Sequence, residues 1–216
     1  RDKETLAEYM ALKKSEQDEL KDVGGFVGGA LRGGIRNARN VIGRDMIALD
    51  LDSIPPNETD TVLSKVERLG VAALVYSTRK HSPDKPRLRV LLPLAQTISA
   101  EEYEPVARKL AQQIGLEYAD KTTFDVTRLM YWPSCSADSQ FVFKVFDKPF
   151  TQGRKVLGLY SDWRDVSQWP TCPGEDKARQ HAGATKQDTR DRDGVLGAFC
   201  RDYDIEAAME AFLPGV

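Results

Sequence analysis

Six segments that alternate between strand-like and helix-like patterns follow one another between residues 46 and 132, and their order constrains the fold more than any other feature. Short apolar runs bounded by turn residues predict strands, whereas apolar residues spaced by three or four predict helices. The succession is strand, helix, strand, strand, helix, strand, which is a split βαβ unit. The predicted strands cover residues 46–51, 71–76, 88–94 and 128–132, and the predicted helices cover 62–69 and 99–114.

The pattern predicts an α+β fold with an RNA-recognition-motif-like core over about residues 45–135. Residues 1–22 are charged and have helical spacing, and a glycine-rich stretch follows at 24–29, so we expect an N-terminal α/β extension. No Gly-Lys-Ser/Thr follows these glycines, so they do not form a P-loop. We expect one domain over 1–170 with a further strand at 141–146, a linker or mobile loop at 171–193, and the start of a C-terminal helical domain at 194–216.

Two acids stand one residue apart at the end of the first predicted strand, Asp50 and Asp52. Alternate residues of a strand share a face, so both carboxylates point the same way. Mg²⁺ is held by one or two carboxylates together with water and phosphate oxygens, and two such ions can assist phosphoryl transfer. Asp120 and Asp125 precede the fourth strand, which we expect beside or near the first, so either can supply a third ligand. An Asp-x-Asp after a strand is also typical of a solvated turn.

Polar and basic residues fill the connection between the second and third predicted strands. Ser77 and His81 lie in it, and Arg87 and Arg89 follow on one face of the third strand. Such side chains offer hydrogen-bond donors to a triphosphate. The alternative is that His81 is an ordinary surface residue and that the two arginines form an exposed strand face.

The formal net charge of -2 predicts no overall attraction to nucleic acid, so any such surface is a local patch. The cysteines Cys135, Cys172 and Cys200 have no paired spacing, which argues against a disulfide framework or a zinc site. No apolar run of about 18 residues and no signal peptide is present, so we expect a cytoplasmic protein without membrane contact. The candidates for a salt-sensitive DNA contact are Arg32, Arg36, Arg39 and Arg44.

The combination of acid pair, basic loop and late acid resembles the archaeo-eukaryotic primase superfamily. Its motifs correspond here to Asp50-Leu51-Asp52, to Ser77 through His81, and to Asp120 with Arg128. More closely, the chain is similar to the primase-polymerase part of phage and prophage replication proteins of the virulence-associated E type, the primase-helicases. The segments that carry this resemblance are 21–29, 77–94 and 128–134, within a region of similarity over 15–170.

The resemblance implies roles for individual residues. Asp50, Asp52 and Asp120 would bind two divalent ions, Mg²⁺ or Mn²⁺. Asp120 is preferred to Asp125 because the late acid of the family stands about eight residues before the arginine, here Arg128. His81 would belong to the catalytic residues with the three acids. The residues that would bind the phosphates of the nucleotide are Ser77, His81, Arg87, Arg89 and Arg128, and the alternatives to Ser77 beside His81 are Thr78 and Ser82.

The implied activity is template-dependent nucleotidyl transfer on single-stranded DNA, which is primer synthesis or DNA polymerisation in phage or mobile-element replication. Nucleoside or deoxynucleoside triphosphates would be the substrates. A helicase domain is expected on the same full-length chain, and residues 1–170 would be the catalytic domain.

Two other functions fit parts of the pattern. A non-catalytic module could bind single-stranded DNA for a replication initiator or helicase, but such a module favours aromatic residues on its sheet, where this chain places carboxylates. A nicking nuclease of this fold uses paired histidines and a nucleophilic tyrosine. The only histidines, His81 and His181, lie far apart in the sequence.

Overall fold

A five-stranded antiparallel sheet forms the centre of the computed structural model, which describes residues 3–175. The order across the sheet is β2-β3-β5-β4-β7, and β1 pairs with β6 in a separate two-stranded sheet. The strands are β1 (Gly25–Phe26), β2 (Gly29–Leu31), β3 (Val41–Leu51), β4 (Ala73–Ser77), β5 (Leu88–Ile98), β6 (Met130–Tyr131) and β7 (Phe143–Phe146). The helices are α1 (Leu6–Ala11), α2 (Lys14–Lys21), α3 (Thr59–Arg68), α4 (Ala100–Ile114) and α5 (Gly153–Leu157).

The α+β class is confirmed, and β3, β4 and β5 correspond to the first three predicted strands. The α4 helix begins with the expected capping box, in which the Ser99 hydroxyl accepts from the amide of Glu102 and the Glu102 carboxylate accepts from the amide of Ser99. Gly70, with φ of 69°, follows the end of α3 in the left-handed region that a glycine adopts without strain. The strand expected at 141–146 is present as β7.

The fourth predicted strand does not lie in the large sheet. Residues 130 and 131 pair with β1, and the place beside β3 is taken by β2. The pairing of β2 with β3 requires a glycine in β2, because a Cβ on Gly29 would come within 2.1 Å of the carbonyl oxygen of Gly43. Only a glycine lets the two backbones approach so closely.

The two faces of β3 have different environments because side chains alternate along the strand. Ile47, Leu49 and Leu51 are fully buried in the hydrophobic core, together with residues of α3 and α4. Asp50 and Asp52 point to the other face. The acid pair therefore lies at the end of a strand that β5 flanks along its length on one side and β2 flanks at its beginning on the other.

The compact unit that contains the sheet comprises Arg1–Pro173. The expected C-terminal helical segment at 194–216 lies outside the described residues, as does the linker at 171–193 except for its first five positions. Cys135 and Cys172 are buried. Within residues 3–175, no helix combines the length and the apolar character needed to cross a membrane.

Candidate active site

A cavity of about 600 Å³ lies at the end of β3 where the acids stand. Its volume is within the range of roughly 300–1,000 Å³ that is usual for ligand sites. Asp50, Asp52 and Asp120 all line it. Twice as many cationic as acidic side chains form its wall, so the cavity combines metal-binding groups with an excess of positive charge.

Asp50 is held by Arg89, which lies directly opposite it in the β3–β5 pairing. The Nε of Arg89 donates to one carboxylate oxygen at 2.6 Å, and an Nη donates to the other at 3.1 Å. The second Nη of Arg89 donates to the carbonyl of Tyr131 at 2.6 Å and to the hydroxyl of Tyr76 at 3.2 Å. Burial lowers the pKa of Arg89, but the charge of Asp50 and its hydrogen bonds outweigh burial, so the pKa is raised overall.

Asp52 has a weaker partner in Arg87, which donates one hydrogen bond at 2.5 Å. The side chain of Asp52 keeps 34% of its surface exposed. Burial raises the pKa of Asp52, Arg87 opposes this, and the negative charges of Asp50 and Asp120 raise it further. The net increase shows that the protein does not fully compensate this carboxylate.

Asp120 comes close to the pair through the backbone. Its amide donates to the carbonyl of Asp50 at 2.9 Å, and one carboxylate oxygen lies 3.7 Å from an Nη of Arg128. Asp125 accepts from the amide of Thr127 at 2.8 Å and does not line the cavity. The structure thus brings Asp120, rather than Asp125, to the acid pair, while its role as a metal ligand stays a prediction.

The donor set fits a divalent cation of the Mg²⁺ type. Like charges gather around Asp52, and a cation would relieve their repulsion. Within residues 3–175, no group of three or more histidine, cysteine, aspartate or glutamate side chains is close enough to form a complete protein cage. Mg²⁺ needs no such cage, because it takes one or two carboxylates and completes its shell with water and phosphate oxygens. Asp50 and Asp52 are thus the first candidates, with Asp120 beside them.

Ser77 and His81 lie beneath the surface and do not line the cavity. The hydroxyl of Ser77 accepts from the amide of Val142 at 3.0 Å, which fixes the end of β4. The Nδ1 of His81 accepts from the amide of Arg87 at 3.1 Å, and burial lowers the pKa of His81. In the structure, both side chains support the loop and its neighbour Arg87; their contact with phosphate stays a prediction.

The four arginines expected to bind DNA have two different environments. Arg32, Arg36 and Arg39 are exposed, and Arg36 also lines the cavity. Arg44 has no exposed surface; its guanidinium donates to the carbonyls of Gly28 and Val126 and lies 4.2 Å from the centre of the Tyr103 ring. Because these contacts occupy it inside the protein, we assign Arg44 a structural role instead of a DNA contact.

Sequence reasoning missed several residues of the site. Lys14 and Lys21 of α2 line the cavity together with Lys80. The signal was present in the spacing of Lys14, Asp18 and Lys21, which places them on one face of a helix. Thr123 had no comparable signal: its buried hydroxyl donates to the carbonyl of Ala48 and accepts from the amide of Asp50, which holds β3 beside the acid pair.

Comparison with known proteins gives a family and one solved structure. The model of the VapE N-terminal domain family matches residues 1–172. Among solved structures, the AEP domain of the primase-polymerase of cyanophage S-2L is similar, with 12% sequence identity over 68% of this chain and 76% of that chain. The TM-score of 0.45 is too low to establish a common fold. No curated protein matches the chain.

Proposed function

The chain belongs to the VapE N-terminal domain family, and from this premise we propose that it catalyses template-dependent nucleotidyl transfer on single-stranded DNA during phage or mobile-element replication. The observation that carries the proposal is the pair Asp50 and Asp52, which faces a cationic cavity beside Asp120. Carboxylates on a surface that must bind phosphate are unfavourable unless a cation lies between them, so this arrangement favours a metal-dependent reaction over simple DNA binding.

In the proposed reaction, a 3′-hydroxyl oxygen loses its proton to water and forms a bond to the α-phosphorus of a nucleoside triphosphate. The bond from that phosphorus to the oxygen bridging to the β-phosphate breaks, and pyrophosphate leaves. Asp50, Asp52 and Asp120 would hold Mg²⁺ or Mn²⁺ ions, which neutralise phosphate charge and lower the pKa of an attacking hydroxyl. Arg128, whose side chain is 38% exposed beside Asp120, is placed to donate to phosphate oxygens. The amides and hydroxyl that fix Asp50 and Asp120 keep the carboxylates in position.

The proposed DNA contact uses the exposed arginines near the cavity. Arg36 is the first candidate because it also lines the cavity wall, and Arg32 and Arg39 are exposed in the same segment. Their contacts would be electrostatic and would weaken with salt. A helicase domain on the full-length chain is the proposed partner of this domain in replication.

Labelled nucleotide incorporation tests the function on single-stranded DNA with and without an annealed primer, with Mg²⁺ or Mn²⁺. The decisive variant is Asp52→Asn, because removal of Asp50 would leave Arg89 buried without its partner and would confuse catalysis with folding. Asp45→Asn is the matched control, since Asp45 is an exposed acid on the same strand.

We expect products that decrease by several orders of magnitude in Asp52→Asn and remain in Asp45→Asn. Products with and without a primer would indicate primer synthesis, whereas products only with a primer would indicate polymerisation alone. A folded protein that binds single-stranded DNA but incorporates no nucleotide under any of these conditions would refute the enzyme and favour the binding module.

A further inference from the structure

Three lysines outside the acid pair line the same cavity, and we propose that Lys14, Lys21 and Lys80 form a subsite for the β- and γ-phosphates of the incoming nucleoside triphosphate. This inference rests on the proposed nucleotidyl transfer. It assigns phosphate binding to the N-terminal helix α2 and to the loop after β4. The arginines that sequence patterns suggested for this task, Arg87 and Arg89, are already bound to Asp52 and Asp50.

The two lysines of α2 are held on one face of the helix by a shared acid. Asp18 accepts from both Lys14 and Lys21, the latter at 3.2 Å. The α2 helix is itself attached to α1, because the buried hydroxyl of Tyr9 donates to the carbonyl of Gln17 at 3.1 Å. One carboxylate between two ammonium groups orders them without neutralising both, so positive charge remains for a ligand.

Lys80 extends the cluster from a loop that is well supported. Its Nζ lies 5.8 Å from the centre of the Tyr9 ring, and the neighbouring Arg79 lies over the same ring at 4.7 Å. Arg79 also forms an ion pair with Glu4, which connects the loop to the N-terminal segment. These contacts place Lys80 against Tyr9 of α1, whose hydroxyl binds a carbonyl of α2, and they do not pair the charge of Lys80 with an acid.

The electrostatics of Lys80 agree with a site for an anion. Burial lowers the pKa of Lys80, and the positive charges of Lys14, Arg87 and Lys21 lower it further, whereas Asp18 opposes the effect. The cations thus repel one another across the cavity. A polyphosphate would relieve this repulsion, because it brings several negative oxygens within reach of separate lysines, each a compact phosphate-binding charge.

Calorimetry with inorganic tripolyphosphate tests the subsite in the full chain, in the presence of a chelator so that metal does not contribute. The variants are Lys14→Gln with Lys21→Gln, Lys80→Gln, and Lys80→Arg, which keeps the charge. Lys13→Gln is the matched control, since Lys13 is exposed next to α2 and does not line the cavity. Thermal unfolding of each variant confirms that it is folded.

We expect tripolyphosphate affinity to fall about tenfold, which is about 1.4 kcal/mol, for each lysine replaced by glutamine, since each lysine would lose a charge-assisted hydrogen bond. Lys13→Gln should bind as the wild type does, and Lys80→Arg should keep most of the affinity. The affinity for a single-stranded oligonucleotide should not change. Unchanged tripolyphosphate affinity in the glutamine variants would overturn the inference, and so would an equal loss for the oligonucleotide, because the lysines would then contact DNA phosphates.

Nucleotide incorporation separates failure of the subsite from failure of the reaction. If the wild type incorporates nucleotide and the glutamine variants keep its KM, the subsite is wrong and the reaction stands. If tripolyphosphate binding depends on the lysines but the wild type incorporates nothing, the reaction is wrong and the anion site stands. A rise in KM for the nucleotide that follows the loss of tripolyphosphate affinity would support both.

Discussion

Two acid–arginine pairs lie side by side at the end of β3, and they differ in almost every physical respect. Asp50 and Arg89 each expose 9% of their side chains and share two hydrogen bonds, whereas Asp52 and Arg87 expose 34% and 22% and share one. Arg89 also binds a carbonyl and a hydroxyl of other segments, so it connects β5 to β4 and β6. The first pair binds several segments of the framework while Asp50 still lines the cavity, whereas the second pair leaves more of its carboxylate accessible.

The difference shows how a site can combine rigidity with reactivity in two adjacent acids. A buried ion pair contributes to stability mainly because each partner compensates the charge of the other, which would be costly to bury alone. An accessible carboxylate whose charge is incompletely compensated can instead accept a cation. Asp50 would then fix the position of the strand, and Asp52 would contribute more of the free negative charge.

The largest stability effect should follow removal of the buried arginine. Arg89→Met leaves Asp50 buried without its partner, and we expect a loss of about 3–5 kcal/mol in the free energy of unfolding. Urea denaturation measures this loss, and the double variant Asp50→Leu with Arg89→Met should recover a large part of it because no charge is then left inside. Equal losses in the single and double variants would show that the pair does not act as a unit.

A buried arginine without a carboxylate partner should cost less to replace. Arg44→Met removes hydrogen bonds to two carbonyls and the contact with Tyr103 but leaves no buried charge behind, so we expect a loss of about 2–3 kcal/mol. Urea denaturation again gives the value, and the affinity for single-stranded DNA should be that of the wild type. If the Arg44→Met protein is folded but binds DNA more weakly than the wild type, Arg44 contributes to DNA binding after all.

The accessible pair should show the smallest coupling. In a double-mutant cycle of Arg87→Met and Asp52→Asn, we expect an interaction energy below about 1 kcal/mol, since exposed ion pairs are weak. The cycle uses the free energy of unfolding of the four proteins. A coupling as large as that of Asp50 and Arg89 would remove the distinction between the two pairs.

Much of the fold could be predicted from the sequence because local periodicity determines it. The alternation in β3, β4 and β5 and the capping box of α4 are local signals. The pairing of β6 with β1 is not local, since it depends on which distant backbones can meet. The close approach at Gly29 permits β2 to lie beside β3, and no periodicity reveals it.

The candidate site was likewise predictable where it depends on local spacing and not where it depends on distant segments. The spacing of Asp50 and Asp52 gives their common face, and the structure brings Asp120 to them. The sequence pattern could not predict the burial of Ser77 and His81, because periodicity alone does not show which segments cover a loop. The partners of Arg87 and Arg89 were hidden for a related reason, since they depend on the register between β3 and β5.

The pH dependence of stability provides the finest test of the comparison. The pKa of Asp52 is raised above its unfolded value, so the folded state takes up a proton at higher pH than the unfolded chain does. Ionised Asp52 therefore destabilises the protein at pH 7, and this cost disappears as the pH falls through the raised pKa. We expect Asp52→Asn to be more stable than the wild type at pH 7 by less than about 1 kcal/mol, because solvent screens a side chain that is one third exposed. Urea denaturation from pH 7 to pH 4 should show this advantage shrinking, and an advantage that grows towards low pH would mean that Arg87 compensates Asp52 as completely as Arg89 compensates Asp50.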